Sequence, residues 1–379
     1  MSKEKKNFNG EGTIYFSEKL GRFVAQYTDP NTNKRKTIYD KDEKVIRKKL
    51  RKAIQTAESG YSIEKSNLTI VDIAQKIIDK KFNANIVSGA SYLRCKETLK
   101  VIEKSEIADI KIQRITEEDL QDFMNAQTFR SASYINKIFI MLNQVFKTAV
   151  HDNCIIKNPM NDVIKPKSSK ITKKINALSI EEHQKFITSL ENELYRNIFL
   201  IAINTGMRCS EILSLKATDI DYENNCIHIT KTLSKDENDK YALKDTTKTY
   251  AGMRDFPLDD ELKLIFKDAI KNRIDNINNL IFIQPNGKLI APTTLNTVFK
   301  RICANLGFKG NYNFHMLRHT FATRCIEAGM PAHVLQKLLG HTDVSTTIDT
   351  YTTIFDKYKQ DELIKLAEYK KVNNLMLIS

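Results

Sequence analysis

The sequence predicts a multidomain, mainly α chain: a small N-terminal α+β module, an all-helical middle domain, and a larger mixed, mainly α C-terminal domain with a small β-sheet. Three observations lead there. At 379 residues the chain exceeds the roughly 100–200 residues of an ordinary domain. Its apolar pattern changes character twice, from short β-branched and aromatic runs near the start, to helical spacing from Thr69 to about Val150, to a mixed pattern after Leu178. A polar, basic, proline-broken stretch, Lys165–Lys174, separates the last two regions. Hydrophobic residues make up 41%, enough for real cores and too many for a disordered chain.

In the N-terminal module, Thr13–Phe16, Arg22–Tyr27 and Arg35–Tyr39 read as strands set between turn signals at Leu20-Gly21 and Asp29-Pro30-Asn31. Asp40 or Asp42 then caps a helix running to about Glu58, with Val45, Ile46, Leu50 and Ile54 as its buried stripe. The first sixty residues carry roughly +7 of the formal net charge of +14. A three-stranded sheet with a packed helix can lay its sheet face in a DNA groove with basic residues on phosphates, and Arg22, Arg35, Lys36, Arg47 and Lys48 are the candidates. The same residues equally suit the solvated surface of an ordinary α+β module. This region is assigned to residues 1–62.

The middle region, 63–165, reads as helices throughout. Ile70/Ile73/Ala74/Ile77/Ile78 form one stripe, followed by Tyr92–Ile102 and Thr116–Met124, where Thr116 and Asp119 resemble a capping box. Ser133–Val150 carries Tyr134, Ile138, Met141, Leu142, Val145 and Phe146 on one face. Residues 166–176 read as a linker and 177–379 as the third domain, whose β-rich patch spans about Cys226–Pro257, with Ile227–Thr232 alternating.

The basic excess points to a polyanionic partner, nucleic acid or an anionic membrane. No apolar run approaches the roughly 20 residues needed to span a bilayer. The N-terminus, MSKEKKNFNG, has charge without an apolar stretch behind it and does not read as a signal peptide, so a cytoplasmic location is expected. Cys95, Cys154, Cys209, Cys226, Cys303 and Cys325 are scattered, with no C-x-x-C pair. They suggest neither a disulfide framework nor a zinc site, and read as small apolar fillers.

Four patterns in the third domain carry potential chemistry. In Thr205-Gly-Met-Arg208-Cys-Ser-Glu211, Thr-Gly breaks a helix near Asn204 and the next begins around Arg208. An arginine at a helix N-terminus can aim its planar fork at a phosphate, braced by Glu211 one turn on; the plain alternative is a surface salt bridge. In His315-Met-Leu-Arg318-His319, His315 and Arg318 share a helix face and can reach one ligand. His315 and His319 mimic half a zinc site, but the glutamate of H-E-x-x-H and a third ligand are missing, so no metal is expected there. In Leu338-Leu-Gly340-His341, the glycine ends a helix, and a lone histidine at such a place is commonly structural. Tyr351, in Asp349-Thr-Tyr351-Thr, is one of fourteen tyrosines, with nothing local to distinguish it from a core residue.

Taken in order, Arg208, Glu211, His315-x-x-Arg318, Leu-Gly-His341 and Tyr351 resemble the boxes of the tyrosine recombinase (phage integrase) family. The whole chain fits the three-domain integrases of the lambda and conjugative-transposon type. The basic first module resembles their arm-binding domain, and the helical middle, ending near Asn158-Pro159, their SAM-like core-binding domain. Lys248-Thr-Tyr-Ala-Gly-Met-Arg254-Asp-Phe-Pro257-Leu resembles the family's K-T-x-x-x-x-R-x-x-P-L form. The catalytic lysine is therefore expected at Lys248, with Lys244 as second choice, and Arg254 is counted among the DNA-binding residues.

The resemblance implies attack by Tyr351 on a scissile phosphate and a 3′-phosphotyrosyl intermediate. Arg208 and Arg318 would clamp the nonbridging oxygens, which gain charge during attack. Lys248 would protonate the departing 5′-oxygen, His315 would assist proton movement at the nucleophile, His341 would hydrogen-bond the phosphate, and Glu211 would position the basic residues. No cofactor, ATP or metal is expected. Implied partners are double-stranded DNA at core and arm sites, three further copies in a tetramer on DNA, an excisionase and a host DNA-bending protein. The tail Asp361–Ile378 is expected to pack on a neighbouring subunit or back on its own domain. The same chemistry serves DNA resolution or relaxation, and a catalytically silent DNA-binding regulator is the non-enzymatic alternative.

Overall fold

The computed structural model describes residues 12–28, 34–58, 67–170, 177–244, 252–310, 312–343, 345, 348 and 363–373. The chain divides into two compact units, Met1–Thr172 and Lys173–Ser379, and each is taken by itself.

The first unit opens with an antiparallel sheet of order β1-β2-β3, from Thr13–Ser17, Arg22–Thr28 and Arg35–Asp40. Helix α1, Glu43–Glu58, follows. Asp42 rather than Asp40 caps it, its carboxylate accepting from the Lys44 and Val45 amides at 2.7 and 3.2 Å. Asp40 instead accepts from Lys49 at 2.6 Å. Because successive strand residues face opposite ways, the register sorts the side chains into two sets. Ile14, Ala25 and Ile38 lie in line and pack with Tyr27, Ile46 and Leu50 under the helix. Tyr15, Val24 and Tyr39 line up on the other face. Val45, expected in the stripe, is 41% exposed, because it lies about 100° round the helix from Ile46.

Among the described residues, the rest of this unit contains α2 Ile70–Asn83, α3 Gly89–Glu103, α4 Glu117–Asn125 and α5 Ala132–His151. Each begins at a side-chain cap, from Thr69, Ser88, Thr116 and Ser131. Thr116 and Asp119 do form a reciprocal box: the threonine hydroxyl accepts from the Asp119 amide at 3.2 Å, and the carboxylate accepts from the Thr116 amide at 2.8 Å. Capped by Ser88, α3 starts at Gly89, three residues before the expected Tyr92, since a cap fixes a helix end where apolar spacing cannot. Ile70, Ile73, Leu99, Leu120, Ile138, Leu142 and Phe146 belong to one core. Of the α5 face, Tyr134 and Met141 are only partly buried. The start of the stretch read as a linker is tied to this unit, with Ser168 and Ser169 donating to the carbonyls of Arg130 and Thr128.

The second unit is mainly helical. It contains α6 Ile180–Ser189, α7 Arg196–Thr205, α8 Cys209–Ile212, α9 Asp260–Lys271, α10 Pro292–Asn305, α11 His315–Glu327 and α12 Ala332–Leu339. Strands β4 Ile220–Asp221, β5 Cys226–Ile229 and β8 Arg254–Pro257 form one antiparallel sheet, and β6 Thr232–Lys235 pairs with β7 Tyr241–Lys244 in another. The alternating run Ile227–Thr232 is thus split. Pairing with β8 ends at Ile229↔Arg254, and Thr232 onward pairs with β7 instead. Helix α7 is buried on nearly every side, from Ile198 through Ile203, as expected of a helix apolar all round. Phe199 on it meets Phe186, Phe299 and Phe314 at ring-centroid distances of 5.6–6.2 Å. Among the described residues, no helix is long and apolar enough to cross a membrane.

Candidate active site

The site begins where α7 stops. Thr205 turns its hydroxyl back to the Ile201 carbonyl at 2.6 Å, and Gly206 takes a left-handed conformation, φ +61°. That conformation favours glycine, and a side chain there would also meet Phe321 Cδ1 at 2.5 Å. The reversed chain leads directly to Arg208. Helix α8 has only four residues, so its dipole contributes little. Glu211 orients the arginine instead. Its Oε2 accepts from the Arg208 amide at 2.9 Å and its Oε1 from Arg208 Nη1 at 2.7 Å. Glu211 is 2% exposed, so this pair is not the surface salt bridge that the sequence left open.

Helix α12 ends in the same place. Gly340 is left-handed, φ +65°; its amide donates to the Lys337 carbonyl, and the His341 amide donates to Gln336. The next three carbonyls each accept from a different arginine. Leu338 accepts from Arg254 Nε at 2.7 Å, Leu339 from Arg318 Nη2 at 2.7 Å, and Gly340 from Arg208 Nη2 at 3.3 Å. Arg318, 3% exposed, also donates to the Gly206 carbonyl at 2.9 Å. The Thr-Gly break and the Leu-Gly-His turn therefore supply the carbonyls that fix the guanidiniums.

The electrostatics follow from this packing. Burial would raise the Glu211 carboxyl, but the charges and hydrogen bonds of Arg254 and Arg208 outweigh it and hold it below the usual carboxylate range. Three guanidiniums against one carboxylate leave this cluster at +2. Both histidines stay neutral at physiological pH. Desolvation, then the charges of His319, Arg318 and Arg208, pushes His315 down to about 4, although its outer edge is open to solvent. Desolvation, then Arg318 and Arg208, does the same to His341. His315 and His319 pack edge to face, 5.0 Å between ring centroids. A net +2 lined with neutral imidazole donors suits a phosphodiester, which carries −1 and approaches −2 as it is attacked.

The structure thus brings together Arg208, Glu211, His315, Arg318 and His341. Tyr351 and Lys248 lie outside the described residues, as does part of the tail. Lys244, the second choice, ends β7. Arg254 is corrected: its side chain is 6% exposed and donates inward to Glu211 Oε2 at 3.0 Å, Leu338 and Gly252, so it braces the site instead of reaching DNA. In the first unit, Arg22 and Arg35 share the open sheet face with Tyr15 and Tyr39, while Lys36 falls on the opposite, helix-covered face. Arg22 lies over the Tyr39 ring at 5.9 Å. Arg47 and Lys48 are exposed on α1, Arg47 paired to Glu43 at 2.8 Å.

Arginines and histidines in this order, converging on one cationic pocket, define a DNA strand-transferring enzyme of the tyrosine recombinase class. Residues 176–357 match the model of the phage integrase family. It is 26% identical to a tyrosine recombinase XerC-like protein of Caldanaerobacter subterraneus subsp. tengcongensis, covering 88% of this chain and 92% of that protein. It is 25% identical to the transposase from transposon Tn916 of Enterococcus faecalis, covering 86% and 83%. Among solved structures, the Tn1549 transposon integrase in complex with a circular intermediate DNA has a TM-score of 0.67 at 24% identity, covering 78% of this chain and 99% of that one. A lambda integrase dimer bound to a core site gives 0.58 at 16% identity, covering 92% and 96%. These two likenesses establish a shared fold, that of the mainly α multidomain integrases. The protein is a site-specific tyrosine recombinase.

Proposed function

We propose that this recombinase integrates and excises a mobile element, a prophage or conjugative transposon, by cleaving DNA with Tyr351 and holding the 3′ end as a phosphotyrosine. The observation that carries this reading is the convergence of Arg208, Arg318, His315 and His341 on one pocket of net positive charge. Arg208 and Arg318 clamp the nonbridging oxygens, His341 donates to the phosphate, and neutral His315 takes up the tyrosine proton. Lys248, or Lys244, protonates the 5′-oxygen as it leaves. A partner strand's 5′-hydroxyl then attacks the phosphotyrosine, which conserves the bond energy and requires no ATP.

Residues 1–62 bind arm sites, 63–165 and 177–379 bind the core site on either side of the linker 166–176, and four copies assemble on DNA. A solved lambda integrase tetramer on a Holliday junction supports that assembly by analogy. An excisionase and a host DNA-bending protein set direction.

A DNA substrate that traps the cleaved intermediate tests the nucleophile. The wild type should leave a denaturant-resistant protein–DNA adduct, and Tyr351→Phe should leave none while binding the same DNA with unchanged affinity. An adduct from the phenylalanine variant would remove Tyr351 from its role.

A further inference from the structure

The β4–β5–β8 sheet buries one face. Ile220, Ile227, Ile229 and Phe256 point into the core. Side chains alternate along a strand, so Cys226 and His228 both lie on the opposite, outer face. The register places Asp221 of β4 beside Cys226, and Asp255 of β8 beside His228. Directly opposed residues lie within side-chain reach, so sheet geometry alone gathers a thiol, an imidazole and two carboxylates. None of them takes part in the phosphate pocket.

Their spacing is that of ligands around a small ion. His228 Nε2 lies 3.7 Å from Asp221 Oδ2 and 3.8 Å from Cys226 Sγ, and the three ligand atoms lie within 4.8 Å of one another. The first contact is too long for a hydrogen bond and the second is at the weak limit for a thiol. Tetrahedral zinc, with bonds of about 2.0–2.3 Å, needs ligand atoms about 3.4–3.6 Å apart. For His228 with each of the other two ligands, closing from 3.7–3.8 Å takes a few tenths of an ångström, and the Asp221–Cys226 pair closes from no more than 4.8 Å.

The surroundings point the ligands inward. Asp255 Oδ1 lies 2.7 Å from His228 Nδ1. A carboxylate there keeps the proton on Nδ1 and turns the Nε2 lone pair toward the gap, as in carboxylate–histidine–zinc arrangements. Asp221 is fixed by its own turn: Oδ1 accepts from the Glu223 and Asn224 amides at 2.9 and 2.8 Å, and Oδ2 from Asn224 Nδ2 at 2.7 Å. Sulfur, nitrogen and oxygen donors together favour zinc over magnesium or calcium.

We propose that Asp221, Cys226 and His228 form a zinc-binding site on the outer face of this sheet, oriented by Asp255 and completed by water. Binding releases the Cys226 thiol proton to solvent, so thiolate and carboxylate neutralise the ion. The site lies on the sheet whose last strand carries Arg254, the residue that braces Glu211.

Chelator-treated full-length protein titrated with zinc chloride in a calorimeter tests this. The wild type should take up one zinc ion per chain. Cys226→Ser and His228→Ala should each weaken binding at least tenfold, and Asp255→Asn by about 10–100-fold, the usual cost of losing an orienting carboxylate. Cobalt(II) in place of zinc should give a thiolate-to-metal absorption band that Cys226→Ser abolishes. These are surface substitutions, and unchanged circular dichroism would verify the fold of each. The proposal is overturned if the wild type takes up no zinc, if Cys226→Ser weakens zinc binding less than tenfold, or if the thiolate band survives that substitution.

Discussion

Replacing Arg254 by methionine keeps its apolar stem and removes its charge. In the wild type that guanidinium, 6% exposed, is paired with a carboxylate that is 2% exposed and also donates to the Leu338 and Gly252 carbonyls. Glu211 would then remain buried with Arg208 alone, whose side chain is 36% exposed. Breaking a buried pair by removing one partner costs about 3–5 kcal/mol, because the survivor's charge is left uncompensated. For a unit of about 200 residues, that corresponds to a fall of about 6–20 °C in melting temperature. Urea and thermal unfolding followed by circular dichroism measure it. Adding Glu211→Gln should restore at least half of the loss, since Glu211 then no longer carries the buried charge that Arg254 compensated. A loss below about 1 kcal/mol, or no recovery in the double variant, would refute the assignment of Arg254 as an internal brace.

Other outcomes follow from the same geometry. Gly206→Ala should cost about 2–4 kcal/mol, from left-handed strain and the contact with Phe321, and should slow cleavage by shifting the carbonyl that holds Arg318; unchanged stability in denaturant would contradict this. His315 and His341 are held near 4, below the ordinary 6.5, so the unfolded chain binds more protons between those values. Stability should therefore fall as pH drops from 6.5 toward 4, and less steeply in His315→Gln/His341→Gln, with equal slopes counting against the argument. Deleting residues 1–62 should abolish binding to arm sites yet spare the crossover site, as gel-shift titrations would report. Binding at both should weaken steeply with salt, and equal loss at the two sites after deletion would speak against separate modules.

Much of the site was legible because its parts are local. Thr205-Gly206 and Gly340 end helices through their own conformations, and Glu211 is three residues from Arg208. Arg254 was misread because its partner Glu211 is 43 positions away, and no local pattern distinguishes an inward arginine from one facing DNA. The accepting carbonyls were invisible for another reason: main-chain atoms leave no mark in residue identity. Lys36 is a different case, since strand parity already separates it from Arg35, and grouping them by charge overlooked that. The Cys226/His228 pair likewise carried a two-residue spacing that signals a shared face once the segment is known to be a strand.

A helix normally leaves its last carbonyls to water, but at α12 five in succession are occupied. Gln336 and Lys337 accept from the turn, and Leu338, Leu339 and Gly340 accept from three arginines drawn from three other elements. Such an end cannot fray one residue at a time, because loosening it releases three charged bonds together. The chain leaving this point at His341 is the one that runs on to Tyr351. The three guanidiniums and the end of α12 are therefore held by the same carbonyls, as an interlock with one shared catch: a change that loosens this helix end also releases Arg208, Arg254 and Arg318.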